Sequence, residues 1–442
     1  MKCDVAVVGA GLGGLCAAAK LAHAGYKTIV LERFPILGGR YTFVDHKGCK
    51  IPTGAVSMIF GKDEPSYKIM EEVNAPKIEL KNLGPPLAKY RLNGKIVTIP
   101  ETKGVLRFLM SEVSDDKAEI KRVMNAVMGA MTWQVPSDSI SMKEWLLQYT
   151  AHPKIHGIFH VQSATWIGLN LHEISAGEFM RVLRMFPGKG PGTYPKNGLK
   201  DVIDSLATAV TDNGGETWTE TKVKEIVVED GKVRGVVAEK GKEKLEIEAM
   251  VVVSNVGPTM TIKLAKEENF DRGYLNEVRE KIRPAVFMEW AWLCDKPPLD
   301  FSGYVFTTDT RRPAYFCVPS LAWPEYAPKG KHLLFGGILP QSNLFPYNPT
   351  EEEEIFFQDV KDVFPDFESY GPKLIHRGNF RGDWPVMRSW QGSGITPKTS
   401  IENLYVVGDA VSPHGYPMGS GAAESGRIVA DDIKARIELT KP

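Results

Sequence analysis

A glycine-rich turn between two short apolar segments, close to the start of the chain, constrains the fold most. Residues 5–8 predict a buried β-strand, glycines follow at positions 9, 11 and 14, and residues 15–24 predict an apolar helix. A second predicted strand over residues 28–31 ends at Glu32. Strand, glycine turn, helix and strand, with an acid about twenty residues after the glycines, form a β-α-β pattern that predicts a dinucleotide-binding unit.

Each residue type in this unit has a physical reason to be there. The first glycine permits the tight turn, the second lets the backbone approach a pyrophosphate, and the third lets the helix pack close to the sheet. The first N–H groups of the helix and its positive dipole end stabilise phosphates. Glu32 can accept hydrogen bonds from a ribose diol. The predicted dinucleotide contacts are therefore Gly9, Gly11, Leu12, Gly13, Gly14 and Glu32.

Size and charge narrow the class of protein. A chain of 442 residues is long for one core and predicts two domains. Lys plus Arg and Asp plus Glu both total 54, so no basic excess indicates a nucleic-acid partner. No apolar run reaches the roughly 18 residues of a membrane span, and the first apolar stretch is the nucleotide-binding strand, not a secretory leader.

The five cysteines, at positions 3, 16, 49, 294 and 317, show no C-x-x-C spacing and suit a reducing compartment. We therefore expect a cytoplasmic protein, which could also be peripheral to a membrane.

A second strand-turn-helix pattern lies near the end of the chain. A predicted strand over residues 404–407 runs into Gly408, where a backbone without a Cβ can pass close to a ligand. Asp409 follows, where its carboxylate could bond a ribityl hydroxyl. Met418 and Gly419 then begin a helix of small residues, whose first N–H groups could stabilise negative charge on a reduced isoalloxazine ring. The alternative is a strand-to-helix turn without a ligand.

Four blocks in this order resemble a known family. They are the N-terminal glycine unit with Gly38-Gly39-Arg40, the segment Tyr194-Pro195-Lys196-Asn197-Gly198-Leu199, the segment Val253-Ser254-Asn255, and residues 403–426. The chain resembles the FAD-dependent oxidoreductases of the phytoene desaturase-like branch of the amine oxidase superfamily. It departs from the carotenoid enzymes at His414-Gly415-Tyr416, where they usually carry a Gly/Ala-rich segment.

The resemblance implies an α/β fold with a Rossmann-type FAD-binding domain and an inserted α+β substrate domain. The FAD-binding domain is expected to be discontinuous, formed by residues 1–75, 187–285 and 375–442. Residues 76–186, expected to be helical, and residues 286–374, expected to be mostly strand, would form the substrate domain.

The resemblance also implies how non-covalent FAD is bound. Glu32 would hold the adenosine ribose, and Val223 would contact the adenine through its backbone. The other implied contacts run along the nucleotide and around the flavin: Arg33, Gly39, Arg40, Gly54, Ala55, Val56, Gly408, Asp409, Met418 and Gly419.

The reaction expected from this resemblance is hydride transfer between a substrate carbon and flavin N5. It would desaturate, or saturate, a C–C bond of an apolar, isoprenoid or alicyclic small molecule. The electron acceptor stays open among a quinone, O2, NAD(P) and a redox protein. The alternatives are a flavin amine oxidase and a non-catalytic carrier resembling the Rab escort and dissociation-inhibitor proteins. The intact glycine set, Glu32 and Asp409 argue against the carrier.

Four tryptophans are candidates for the substrate cavity. Trp290 and Trp292 share one face of a predicted strand and could wall an apolar cavity, although a buried sheet face is the alternative interpretation. Trp384 and Trp390 precede the flavin-binding strand and are expected at the cavity mouth.

His414 and Tyr416 are the candidate catalytic residues, because they lie between the flavin-binding strand and helix. Either could donate or accept a proton beside N5, or they could shape the loop alone. No metal site is predicted. His152, His156 and His160 have the spacing of a helical zinc site, but no acid accompanies them and Pro153 predicts that the helix only begins there.

Overall fold

The computed structural model describes residues 1–100, 104–132, 136–344 and 346–438. Its first sheet has seven strands and includes both strands of the predicted β-α-β unit. Lys2–Val8 pairs in parallel with Thr28–Leu31 on one side and with Glu243–Ser254 on the other. This central strand is covered on both faces, which explains its continuous apolar run. The strand order is Thr221–Glu229, Lys232–Lys240, Glu243–Ser254, Lys2–Val8, Thr28–Leu31, Glu216–Trp218, with Leu404–Val406 beside Glu243–Ser254.

Two helices of small residues cross closely over this sheet. The N-terminal helix Leu12–His23 packs on the C-terminal helix Met418–Arg436. A Cβ added at Gly426 would lie 2.4 Å from the carbonyl oxygen of Gly13. The two helices can therefore lie this close only because glycine stands at the point of contact, where a side chain would not fit. The helix Lys200–Asp212 packs on Leu12–His23 as well.

The second sheet also has seven strands. Neighbouring strands are antiparallel, apart from one parallel pair formed by Tyr304–Thr307 and Ala88–Leu92. The helix Pro349–Val363 covers one face of this sheet, where Phe356 is fully buried. The strand order is Lys373–Phe380, Phe287–Cys294, His332–Ile338, Ala314–Cys317, Tyr304–Thr307, Ala88–Leu92, Lys95–Thr98.

Shorter elements complete the fold. Two small sheets pair Phe43–His46 with Cys49–Pro52, and Leu80–Asn82 with Thr193–Pro195. The remaining α-helices are Pro65–Glu72, Val105–Ser111, Lys117–Thr132, Met142–Leu147, Pro153–Gln162, Ala176–Leu183, Pro258–Ala265 and Arg272–Lys281. In the part of the chain that the structure describes, none of the helices combines the length and apolar character that crossing a bilayer needs.

The strands of the two sheets can be compared with the expected division of the chain, and two differences appear. The strands of the first sheet all lie within residues 1–75, 187–285 and 375–442, whereas Lys373–Phe380 crosses the boundary expected at 375. The first inserted segment is not only helical, because Ala88–Leu92 and Lys95–Thr98 join the second sheet. The domain boundaries themselves stay a prediction.

Candidate active site

A cavity of about 1710 Å³ extends from the first sheet to the second. At one end it is lined by the glycine turn and by the ends of the strands that carry Val8 and Leu31. At the other end it reaches Phe287, Tyr304 and Tyr315 of the second sheet. One continuous space therefore joins the predicted nucleotide site to the inserted domain.

The glycine turn has the shape of a phosphate cradle. Gly9 has a φ of +94°, a backbone conformation that favours glycine. A Cβ at Gly11 would lie 2.3 Å from the side-chain amide of Asn255, and one at Gly14 would lie 2.4 Å from the Gly9 carbonyl oxygen. Gly14 does not line the cavity, so its role is the close packing of helix against turn.

Glu32 is fixed by the backbone around it. One carboxylate oxygen accepts a hydrogen bond from the Ala10 N–H and the other from the Phe34 N–H, both at 2.9 Å. The side chain lines the cavity at the end of its strand. Each carboxylate oxygen can accept a further hydrogen bond, so Glu32 can still receive the two hydroxyls of a ribose.

Asn255 ties together the two segments that were predicted to bind the cofactor. With its amide oriented to satisfy both neighbours, Oδ1 accepts a hydrogen bond from the Gly11 N–H at 3.0 Å and Nδ2 donates to the Val407 carbonyl at 3.3 Å. Asn255 was not predicted as a site residue. Its only signal in the sequence is its place in the resembling block Val253-Ser254-Asn255.

Asp409 is held by Arg40. Two hydrogen bonds of 2.8 Å join the guanidinium to the two carboxylate oxygens, and the Arg388 N–H donates to Oδ2 at 2.7 Å. Burial acts to raise the pKa of Asp409, but Arg40 and Arg388 together outweigh it and hold the pKa below its ordinary value. Asp409 is therefore a carboxylate at neutral pH.

The Arg388 guanidinium supplies the test of whether a dinucleotide fits. It lines the cavity and forms no ion pair with any residue of the described ranges. Burial, and then the neighbouring charge of Arg40, lower its pKa to about 10, so it stays a cation at neutral pH. A partly buried cation that forms no direct ion pair, beside a glycine cradle, fits an anionic diphosphate.

The remaining cofactor-binding candidates meet at the same cavity. Its lining includes Leu12, Gly13, Arg33, Gly39, Gly54, Ala55, Val56, Val223, Gly408, Met418 and Gly419. The residues predicted to surround FAD are thus brought together by the fold, with Gly14 behind them.

The prediction that Trp290 and Trp292 wall the cavity is wrong. Both lie on the opposite face of their strand, under the helix Pro349–Val363. Trp290 stacks on Phe356 with 4.4 Å between ring centroids, and its Nε1 donates to Glu353 at 2.7 Å. Alternation along the strand turns Phe287 and Glu289 toward the cavity instead.

The other two tryptophans have different outcomes. Trp384 lines the cavity, and its Nε1 donates to the Thr53 carbonyl at 3.3 Å. Trp390 is buried but does not line the cavity, so its predicted place at the mouth is wrong. Arg283 lies over the Trp390 ring at 5.5 Å.

His414 and Tyr416 do not line the cavity, which corrects the expectation that they lie beside the ring. The His414 side chain is 60% exposed, and its Nδ1 lies 2.8 Å from Oε2 of Glu178. The other oxygen of Glu178 accepts hydrogen bonds from the Gly415 N–H and from Gln391, which also donates to the Tyr416 carbonyl. The buried Glu178 carboxylate therefore anchors this loop away from the cavity.

An acidic residue at the substrate end of the cavity was not predicted. Glu289 is 1% exposed and lines the cavity beside Tyr315, whose hydroxyl donates to Oε2 at 2.6 Å. Burial raises the pKa of Glu289 to about 8. The signal in the sequence was a single charged residue inside the otherwise apolar strand Phe287–Cys294.

The histidine face does not come together as a metal site. His156 Nε2 lies 2.9 Å from the Thr150 carbonyl, and His160 Nε2 lies 2.7 Å from Oδ1 of Asn170. Within the described ranges, no three His, Cys, Asp or Glu side chains are grouped so that they could hold a metal ion.

Comparison with known proteins agrees with a flavin-binding site at this cavity. The family model described as flavin containing amine oxidoreductase matches residues 12–434. An uncharacterized protein of Methanocaldococcus jannaschii is 25% identical and covers 93% of this chain and 94% of its own. The chloroplastic prolycopene isomerase of Arabidopsis thaliana is 24% identical (99% and 84%), and the 15-cis-phytoene desaturase of Capsicum annuum is 21% identical (99% and 78%).

A solved structure of an oxidoreductase from Methanosarcina mazei superposes with a TM-score of 0.84 at 25% identity, covering 98% of this chain and all of that one. The predicted α/β FAD-binding fold is thereby confirmed. The cradle, the paired Arg40 and Asp409, and a family match over nearly the whole chain lead to one conclusion. The chain belongs to the flavin containing amine oxidoreductase family, in its phytoene desaturase-like branch, and is an FAD-dependent oxidoreductase.

Proposed function

We propose that the protein desaturates or saturates a C–C bond of an apolar substrate of the isoprenoid or alicyclic class. The observation that carries this proposal is the aromatic character of the cavity beyond the nucleotide cradle. Its lining there includes Phe287, Tyr304, Phe306, Tyr315 and Phe380. The names of the relatives, prolycopene isomerase and phytoene desaturase, support an isoprenoid-like substrate.

The contribution of the protein is to bind, orient and exclude water. Bound FAD would supply the hydride chemistry at its N5 atom. Apolar contact with the aromatic wall contributes about 25 cal/mol for each Å² of substrate surface that leaves water. The wall is rigid, because Tyr304 stacks on Phe306 with 5.5 Å between centroids and packs edge-on against Tyr315. A rigid wall can hold one C–H bond in a fixed place relative to the cradle.

The cavity lining includes exposed apolar side chains that suit a lipophilic substrate. Leu87 and Val105 line the cavity and are 46% and 42% exposed. A lipophilic molecule would enter over such a surface, and peripheral contact with a membrane is part of the same proposal. The electron acceptor stays a prediction among a quinone, O2, NAD(P) and a redox protein.

One observation favours the alternative of an amine oxidase. Glu289 is an acid within the cavity, and a carboxylate can bind an ammonium group. However, burial raises its pKa to about 8, so the neutral carboxyl predominates at pH 7 in the free enzyme. A neutral carboxyl attracts an ammonium weakly, so we rank this function second.

Anaerobic stopped-flow absorbance tests the two candidates. The oxidised enzyme is mixed with a panel of primary and secondary amines and, separately, with a panel of isoprenoid and alicyclic compounds. The dithionite-reduced enzyme is mixed with enones to test saturation. Bleaching by the second panel, or reoxidation by enones, supports the proposal, and rapid bleaching by amines alone overturns it. His414→Ala is the control and should keep both rates, because its side chain lies outside the cavity.

A further inference from the structure

The cavity wall at the second sheet carries a small polar patch, which we define as Glu289, Tyr304 and Tyr315 of that sheet together with Ser57, which lies outside it. All four residues line the cavity. The Ser57 and Tyr304 hydroxyls are 2.7 Å apart, and the Tyr315 hydroxyl donates to Glu289 Oε2 at 2.6 Å. The patch therefore consists of two hydrogen-bonded pairs in a wall that is otherwise aromatic.

The carboxyl of Glu289 is only half satisfied. Its second oxygen, Oε1, is buried and has no hydrogen-bond partner among the residues that the structure describes. Buried polar atoms in folded proteins almost always have a partner, because leaving one unpaired costs free energy. Oε1 itself is covered in this structure, but Glu289 lines the cavity, so a rotation of its carboxyl would bring this oxygen to a partner supplied by the ligand.

The surroundings of Glu289 decide the chemistry of that partner. Phe287 stacks on Tyr315 at 6.0 Å, and no Lys, Arg or His of the described ranges forms an ion pair with Glu289. Burial without a counterion favours the protonated carboxyl, and its pKa of about 8 agrees. A protonated carboxyl donates one hydrogen bond, and a carbonyl or hydroxyl oxygen accepts it.

We propose that the substrate is an apolar molecule that carries one neutral oxygen, a carbonyl or a hydroxyl, and that Glu289 binds this oxygen. The inference rests on the proposed function and narrows its substrate class. Tyr315 is a positioning residue, because its hydroxyl holds the carboxyl in place. Pure hydrocarbons would leave Oε1 unpaired, so the patch selects against them.

The proposed role of Glu289 can be tested without turnover by measuring how probes bind to the oxidised holoenzyme. Binding is followed by the shift of the flavin absorbance bands. The probes are β-ionone, the C13 hydrocarbon with the same ring skeleton but no carbonyl, and the corresponding amine. We expect the ketone to bind about tenfold more tightly than the hydrocarbon, as one hydrogen bond to a buried group provides. In Glu289→Leu the two Kd values should converge, while Glu289→Gln, which can still donate, should keep most of the difference.

Two further variants separate binding from folding. Tyr315→Phe should reduce the preference for the ketone and leave the hydrocarbon Kd unchanged. The substitution removes only the hydrogen bond that holds the Glu289 carboxyl in place. Trp290→Phe, on the other face of the same strand, is the matched control and should bind all three probes as the wild type does. Flavin content and circular dichroism identify any variant that does not fold.

Equal binding of ketone and hydrocarbon by the wild type overturns the proposal. So does a preference for the amine that both Glu289 variants abolish, because that result shows an ammonium site. Bleaching of the flavin by amines alone, with the ketone preference intact, overturns the proposed reaction while the role of Glu289 stands.

Discussion

The ion pair between Arg40 and Asp409 gives the sharpest prediction about stability. The two side chains are 19% and 11% exposed, so both charges are largely out of water. Arg40 Nη1 also donates to the Pro385 and Val386 carbonyls, at 2.9 and 2.8 Å. Arg40→Gln removes the paired cation and leaves Asp409 with the Arg388 N–H and the nearby charge of the Arg388 guanidinium. Removing one partner of a buried pair costs about 3–5 kcal/mol, and we expect a loss of that size here.

The assay is urea unfolding of the FAD-stripped protein, followed by circular dichroism and tryptophan fluorescence, for Arg40→Gln, Asp409→Asn and the double variant. The double variant should be more stable than the sum of the single losses by at least about 1.5 kcal/mol, since neither Arg40 nor Asp409 is then left as a buried charge without its partner. Lys331→Gln is the control. It breaks an ion pair with Asp295 in which both side chains are exposed, and it should change the unfolding midpoint little.

The pH dependence has a definite sign. The pKa of Asp409 is depressed in the folded protein, so its stabilising contribution is complete above the ordinary carboxyl value of about 4. It is lost as the pH falls through the folded value, and wild type and Arg40→Gln should converge there. Single losses below about 1 kcal/mol that simply add would refute the reasoning, because they would show that the pair does not stabilise the fold.

Three further predictions concern residues already described. Glu32→Ala should weaken FAD binding, measured as the flavin retained after gel filtration, because both ribose acceptors are lost; full retention would contradict it. Gly14→Ala should lower the ratio of flavin to protein absorbance, because the new Cβ would lie 2.4 Å from the Gly9 carbonyl oxygen and must move the turn. Trp290→Ala should cost about 3–5 kcal/mol in urea unfolding yet leave the flavin spectrum unchanged, since the ring packs on Phe356 away from the cavity. An altered flavin spectrum would show instead that Trp290 affects the cofactor site.

The cofactor end of the site could be predicted because its determinants are local. The glycine turn, its helix and Glu32 lie within one β-α-β unit, whose geometry follows from the spacing of these residues. Gly408 and Asp409 were predicted for the same reason. Asn255 was not, because its hydrogen bonds join two segments that are distant in the sequence.

The substrate end could not be predicted in the same way. The alternation along Phe287–Cys294 separates the residues into two faces, but only tertiary structure decides which face is covered by the helix Pro349–Val363. Trp290 was therefore placed in the cavity and Glu289 was missed. His414 is close to the flavin-binding segments in the sequence, but Glu178, from a distant helix, anchors its loop elsewhere.

The meeting of the chain ends at the cradle has a consequence for protein synthesis. Gly11 and Glu32 leave the ribosome early, but Asn255, Gly408 and the helix Met418–Arg436 leave much later. Until that last helix packs against Gly13, the cradle lacks one side, and we expect it not to retain the nucleotide. The nascent chain must therefore survive without the stabilisation that FAD binding gives, and the first 400 residues, released alone, would keep the glycine motif but would not hold the cofactor.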